Sequence, residues 1–327
     1  MIRLESHAIA WEMTEPFTIS RGSISRAEGV LVTLTDDNGA RGRGESYGLN
    51  YEGETPASIV AQIESVRQHI SAGVIREELL QLLPFGGARC ALDFALWDLE
   101  AKQTGVPAWR RAGLSAWQPL TSAFTIGLRS RAALEATVAR CADYPVLKIK
   151  VNADAPMDTL RAVRKLAPCP RLIVDPNQSW TMAQLREYAP ACKELGVVLL
   201  EQPLAVDSDS GLLGYTSPVP LCADELIHTR ADLPKAMGKY QMINIKLDKA
   251  GGLTEALHLA RAARAAGFEL MVGCMWGSSL AMAPAMIVGQ LCSIVDLDGP
   301  LLQKTDWPDA IHYELGRMSL PKATLWG

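Results

Sequence analysis

Between residues 146 and 252 the chain reads VLKIKV (146–151), LIVDPN (172–177), VVLLEQP (197–203), LCADE (221–225) and MINIKLDKAGG (242–252). Each is a run of aliphatic and β-branched residues that delivers a charged residue: Lys150, Asp175, Glu201, Asp224 and Lys246. Near-continuous apolar runs of this length, bounded by Pro and Gly and separated by helical stretches, are the pattern of parallel strands buried on both faces. Charge at the end of such a strand is costly unless it is paired or coordinates something.

Working outward, Leu128, Lys150, Asp175, Glu201, Asp224, Lys246, Gly273 and Asp296 mark successive strand ends 22 to 27 residues apart. That is the length of one βα unit, and eight of them close a (β/α) barrel, whose active site lies at the C-terminal strand ends. An open doubly wound sheet would want a glycine-rich phosphate turn, and neither GxGxxG nor GxxxxGK occurs. The barrel is expected over 118–299. Residues 1–117 are expected to form an α+β capping domain, completed by 300–327. Its signals are the hairpin VLVTLTDDNGARGRGES (30–46), a helix from Pro56 through Ile70, and a packed helix with one polar stripe over 91–105.

Composition narrows the function classes. Hydrophobic residues make up 48% and charged residues 21% of the 327, a globular balance. With 32 basic against 36 acidic residues and no basic block, no nucleic-acid partner is expected. The apolar stretch 280–291 is too short for a membrane span. Seven scattered cysteines without a CxxC pair suit a reducing cytoplasm, and the N-terminus lacks the pattern of a secretory signal.

Barrel geometry then assigns chemistry. Asp175, Glu201 and Asp224 end three neighbouring strands, so three carboxylates face one sector of the mouth. A hard divalent cation relieves their repulsion, and an all-oxygen set calls for Mg²⁺, or Mn²⁺, rather than Zn²⁺. Lys150 and Lys246 end strands two and six, opposite one another in a ring of eight. Two amines facing across a cation suit removal of a proton from one side of a substrate carbon and delivery to the other. Lys148, on the same side of its strand as Lys150, is expected to act on it as a like charge. Asp296 and Asp298, opposite the metal sector, ask for a cationic end of the substrate. Asp248 is placed either to orient Lys246 or to cap the next helix. Asn177 and Gln202 are candidates to support the metal ligands, and Glu225 is expected to point away.

These residues carry a resemblance. KIK (148–150), VDPNQSW (174–180), EQP (201–203), ADE (223–225) and NIKLDKAGG (244–252), together with PFTISRG (16–22) and ALDFALWDL (91–99), resemble the muconate-lactonising branch of the enolase superfamily over nearly the whole chain. Within it, DLDG (296–299) with GCM (273–275) looks like the dipeptide epimerases. The resemblance implies a modified TIM barrel with a capping domain, Mg²⁺ on the three carboxylates, and a substrate enediolate. It implies Lys150 and Lys246 as the two acid/base catalysts, Lys148 as support, and Asp296 and Asp298 on the substrate ammonium. It also implies a small dipeptide substrate, L-Ala-D/L-Glu by default, a part in peptidoglycan-peptide recycling, and often a homo-oligomer. The chain departs from that pattern at RGSIS (21–25), where Ile24 replaces the expected basic residue. Arg21 and Arg26 flank it as substitutes, whereas Ile24 and Trp276 suit a hydrophobic side chain. The alternative within the superfamily is a cycloisomerase or o-succinylbenzoate synthase, which has no amine to bind.

Overall fold

The computed structural model describes residues 1–20 and 22–327; Arg21, one of the two candidate substitutes, lies outside the described residues. The first body is an antiparallel sheet of β1 (Arg3–Ile19), β2 (Gly22–Thr35) and β3 (Arg41–Ser46), the last two joined by the DDNG turn. Against it pack α1 (Pro56–Ser65), α2 (Arg67–Ala72), α3 (Arg76–Leu82) and α4 (Gly87–Thr104), with a single turn, α5 (Ala108–Arg111), beyond. Val30, Val32 and Leu34 on one face of β2 meet Ile59, Ile63, Leu92 and Leu96 in a core of their own. The helix expected from Pro56 to Ile70 is split at Val66, whose amide bonds Ile63 three residues back and so tightens the turn.

After β4 (Leu120–Thr121) come eight parallel strands: β5 (Phe124–Ile126), β6 (Val146–Lys150), β7 (Arg171–Asp175), β8 (Val197–Glu201), β9 (Leu221–Ala223), β10 (Met242–Lys246), β11 (Glu269–Gly273) and β12 (Ile294–Asp296). They neighbour one another in chain order, as a barrel requires. The seam between β12 and β5 is held by the Ala123 amide donating to the Val295 carbonyl (2.8 Å) and the Leu297 amide donating to Ser122 Oγ (2.8 Å). The barrel's helices include α6 (Arg131–Cys141), α7 (Pro156–Leu166), α8 (Met182–Glu194), α9 (Leu233–Ala236), α10 (Leu247–Ala250), α11 (Leu253–Ala265) and α12 (Ser279–Gly289). Between β8 and β9 only a short 3-10 turn, Asp209–Leu212, stands in for a helix. No helix among the described residues is long and apolar enough to cross a membrane.

The 91–105 segment differs from its expected form. Its helix, α4, starts earlier, and 14 of its 18 residues are buried because it lies between the sheet and the barrel. Asp93, Trp97 and Asp98 do not face solvent: Asp93 accepts from the Thr254 hydroxyl (2.5 Å) and amide (3.1 Å), and the Trp97 indole donates to Thr254 Oγ1 (3.0 Å). Gly251 and Gly252, at φ +71° and +119°, make this approach possible, since a Cβ at either would fall 2.5 Å from Arg89 or Asp93. The final segment divides its contacts. β13 (Tyr313–Glu314) pairs with β14 (Arg317–Met318), which pairs with β4, whereas the Trp326 indole donates to the Phe94 carbonyl and the Gly327 amide to Asp98.

Candidate active site

At the C-terminal strand ends, closed over by the first body, lies a cavity of about 510 Å³, within the range of small-molecule sites. Lys148, Lys150, Lys246, Asp296, Asp298 and Asn177 line it from the barrel, with Thr125 of β5; Phe17, Ile19, Ser23, Ile24, Asn50 and Tyr51 line it from the cap. Cys274, Met275, Trp276 and Leu302 close one side, with Trp276 edge-on to Phe17 at 5.4 Å. Arg26 does not join them. Two residues beyond Ile24 on β2, it is more than half exposed and lies 3.8 Å from Glu12 and 3.9 Å from Glu28.

Asp175 ends β7, Glu201 ends β8, and Asp224 follows β9 by one residue; all three are buried. Their ordinary partners here are lysines rather than a common point among the described residues. Lys148 Nζ sits among Asp296 Oδ2 (2.7 Å), Glu201 Oε2 (2.8 Å) and Asp175 Oδ2 (3.2 Å). Lys150 Nζ donates to Asp175 Oδ2 (2.6 Å) and Lys246 Nζ to Asp224 Oδ2 (2.7 Å). The charge of Lys148 is therefore directed at three carboxylates rather than acting on Lys150 as a bare like charge. Burial alone would lower the Lys148 pKa, but Asp296, Glu201 and Asp175 outweigh it and hold the ammonium well above the usual range. Burial and Asp224 oppose each other in the same way at Lys246, and the carboxylate wins. Asp175 is raised by burial and lowered further by Lys150 and Lys148, to about 2.

Several participants carry no signal in the sequence. Lys249, on α10 and 1% exposed, donates to Asp224 Oδ1 (2.6 Å) and to the Asp224 carbonyl, so this one carboxylate serves two lysines. Asn244 donates to Glu201 Oε1 (2.9 Å). Thr125 donates its hydroxyl to Asp296 (3.1 Å) and its amide to Asp298 (2.6 Å). Through Lys148, Asp296 is tied to the carboxylates it was expected to face across the barrel. Glu225 does not turn away: it lies past the end of β9, where strand alternation no longer applies, and accepts from Asn177 Nδ2 (3.4 Å). Gln202 accepts from the amides of Asp224 and Leu226 and so shapes the turn after β9. Asp248 neither caps its helix nor contacts Lys246; it binds the cap at Ser46, Tyr47 and Gly48.

The donor chemistry can be tested against a metal. Among the described residues the mouth buries six carboxylates, Asp175, Glu201, Asp224, Glu225, Asp296 and Asp298, against four lysines, 148, 150, 246 and 249. Two negative charges are in excess. The excess is felt at Glu201, which burial raises to about 7 against the pull of Lys148, and at Asp298, which burial and Asp296 also raise to about 7. Glu201 Oε2 is buried and receives no directed hydrogen bond, although Lys148 Nζ is 2.8 Å away. An all-oxygen set with two surplus charges fits a hard divalent cation.

A barrel of eight parallel strands under an α+β cap, with lysines on strands two and six and acids on strands three to five, defines a member of the enolase superfamily. The chain belongs to it: residues 129–324 match the enolase C-terminal domain-like family, and residues 1–113 the mandelate racemase/muconate lactonizing enzyme N-terminal domain. Among curated relatives, L-Ala-D/L-Glu epimerase of Escherichia coli (strain K12) is 41% identical over 95% of this chain and 97% of its own. N-acetyl-D-glutamate racemase of a Pseudoalteromonas species is 44% identical over 76% and 79%. Among solved structures, an enolase family member from Agrobacterium tumefaciens with homology to dipeptide epimerases, with bound sodium and L-Ala-L-Glu, is 40% identical with a TM-score of 0.97 over all of both chains. A dipeptide epimerase from Enterococcus faecalis, complexed with Mg and L-Leu-L-Tyr, is 25% identical with a TM-score of 0.91 over 99% of this chain and 98% of that one.

Proposed function

We propose that the protein is a cation-dependent dipeptide epimerase that inverts the α-carbon of the C-terminal residue of a dipeptide by a two-lysine proton transfer. One observation carries the reading: Lys150 and Lys246, four strands apart in an eight-strand ring, line the same cavity as the acidic pair Asp296 and Asp298. Lys150 holds one face of the substrate carbon and Lys246 the other, so a neutral amine on one side withdraws the proton while the ammonium opposite delivers one. Asp296 and Asp298 fix the dipeptide's ammonium end, with Thr125 setting their orientation. Lys148 supports the substrate carboxylate from beneath. Asp175, Glu201 and Asp224 would hold Mg²⁺, or Mn²⁺, which offsets the carboxylate charge and stabilises the negative charge left as the α-proton departs. The cap keeps bulk water from the exchanging proton.

A cycloisomerase or an N-acyl amino-acid racemase uses the same lysines but presents no free amine to Asp298. L-Ala-L-Glu is the default substrate, in keeping with the relatives named above, and the role proposed with it is the recycling of cell-wall peptides in the cytoplasm. A second reading concerns only the side chain: Ile24, Ile19 and Trp276 on the wall favour an apolar C-terminal residue. The test is incubation with Mg²⁺ and an L,L-dipeptide panel in D₂O, read by mass spectrometry. One deuterium at the C-terminal α-carbon, abolished by chelation and restored by Mg²⁺, is expected. Incorporation into apolar members alone selects the second reading, and none anywhere ends the epimerase assignment.

A further inference from the structure

We infer that Asp248 is a positioning residue that sets the cap's substrate loop in register with Lys246. Asp248 lies two residues beyond Lys246, on the turn of helix that follows β10, and is 6% exposed. Its Oδ1 collects three donors, all from the cap: Ser46 Oγ at 2.6 Å, the Tyr47 amide at 2.8 Å and the Gly48 amide at 3.3 Å. These residues end β3 and open the segment that carries Asn50 and Tyr51 to the cavity wall. The far end of that segment is fastened separately, by Glu54, which accepts from the Leu49 amide (2.7 Å) and from the Gly87 amide of α4 (3.1 and 3.0 Å).

The fastening at the Asp248 end joins the start of the loop to the barrel beside Lys246, while Glu52 further along it meets His228 beyond β9 at 2.7 Å. A two-residue span separates the proton-transfer group from the carboxylate that holds the opposite wall. Substrate met by Asn50 and Tyr51 is therefore met by a wall already docked beside Lys246, and a loop that has to be ordered by the substrate itself weakens apparent binding. The interaction requires an acceptor and not a charge, because all three donors are neutral.

That requirement separates this role from one in which the Asp248 charge acts on Lys246. The kinetic part rests on the epimerase reading; the structural part does not. Full-length wild type, Asp248→Asn, Asp248→Ala and Ser46→Ala are compared, with Mg²⁺, for α-deuteration of L-Ala-L-Glu or the best panel dipeptide. Amide hydrogen exchange and calorimetric Mg²⁺ affinity are measured alongside. Asp248→Asn keeps an oxygen acceptor and is expected to stay within about threefold of wild type in every readout, whereas Asp248→Ala raises KM about tenfold with kcat and Mg²⁺ affinity little changed. In Asp248→Ala the amides of Tyr47 and Gly48 exchange at least about tenfold faster while the barrel strands keep their protection. Ser46→Ala moves KM and the same amides in the same direction by less.

The inference is overturned if Asp248→Asn is as impaired as Asp248→Ala, if protection falls throughout the chain, or if kcat collapses at unchanged KM. Should Asp248→Ala not fold, Ser46→Ala decides: faster exchange at Tyr47 and Gly48 with raised KM supports the role, and no change in either refutes it. Should the wild type deuterate no dipeptide, the epimerase reading fails on its own, and the Tyr47 and Gly48 amides still answer for the clamp.

Discussion

Two sets of carboxylates are buried equally deeply in this molecule and behave oppositely. At the barrel mouth, Asp175 and Asp224 are paired with lysines and held below the ordinary carboxylate range, burial being outweighed by Lys150 and Lys148 at one and by Lys246 and Lys249 at the other. Between the cap and the barrel, Glu45, Asp93 and Asp248, and within the cap Asp98, are raised above it, first of all by burial. Among the described residues, of these only Asp98 has a cationic partner, Lys102; the others are met by hydroxyls, amides and an indole. A charge paired with a charge can exchange its partner for another cation at modest cost. A carboxylate satisfied by neutral donors has no such option and acts as a fastener.

The sharpest way to break this comparison is at the lysines. Lys150→Met and Lys246→Met are each expected to reduce epimerisation by about a thousandfold or more, since each removes the only acid/base group for one face of the α-carbon. The two variants should differ in D₂O: each retains α-exchange of the epimer whose proton faces the surviving lysine and loses exchange of the other. Equal loss for both epimers in both variants would remove the assignment of one face to each lysine.

The fastener set should respond in stability. Glu45 is fully buried and accepts from Tyr47 OH (2.5 Å), Ser278 N (3.0 Å) and Oγ (2.7 Å), and the Trp307 indole (3.0 Å). Glu45→Ala strands several buried donors at once and is expected to cost about 3 kcal/mol in denaturant unfolding, with Glu45→Gln costing about 1 kcal/mol. A loss under about 0.5 kcal/mol for the alanine variant would mean that the interface does not depend on this network.

The strand-end residues were legible because a buried parallel strand has no structural use for charge at its end; hence Lys150, Asp175, Glu201 and Lys246 stand out. The residues that complete the site do not, for definite reasons. Lys249 follows the strand on a helical turn, where a lysine normally meets solvent, and nothing in its spacing tells that it folds back onto Asp224. Thr125 reads as an ordinary β-branched strand residue. Glu45 and Asp248 are polar residues near element ends whose partners across the interface are about 200 residues or more away in sequence. Periodicity reports which face a side chain takes within its own element, and these contacts lie between elements.

Asp298 lies between the two classes, and pH sharpens the distinction. Burial and the neighbouring Asp296 raise its pKa from 3.8 to about 7. Between those values the folded chain holds a proton that the unfolded chain has released, so this residue's contribution makes stability fall as pH rises. A dipeptide ammonium favours the ionised form, so binding releases that proton and strengthens as pH climbs through about 7. KM is expected to fall by up to about tenfold between pH 6 and 7.5, and Asp298→Asn, which cannot ionise, should flatten the profile while raising KM. A wild-type KM independent of pH over that interval would mean that Asp298 does not meet the ammonium.

The smallest effect is expected at Arg26, where the cap's ribbon faces solvent. Its guanidinium is 55% exposed, and the nearest carboxylates, Glu12 and Glu28, stand at 3.8 and 3.9 Å on neighbouring surface positions. Pairs of this kind are worth roughly 0–1 kcal/mol and are screened by salt. Arg26→Ala should therefore leave kcat/KM for every panel dipeptide within about twofold and stability within about 0.5 kcal/mol. Ile24, two residues earlier on the same strand, reaches the cavity instead, so Ile24→Ala is expected to shift the order of preference among dipeptides that Arg26→Ala leaves intact. If Arg26→Ala instead abolishes turnover of L-Ala-L-Glu alone, the ribbon reaches the substrate in the working enzyme, and the basic group that Ile24 displaces is supplied from the solvent face.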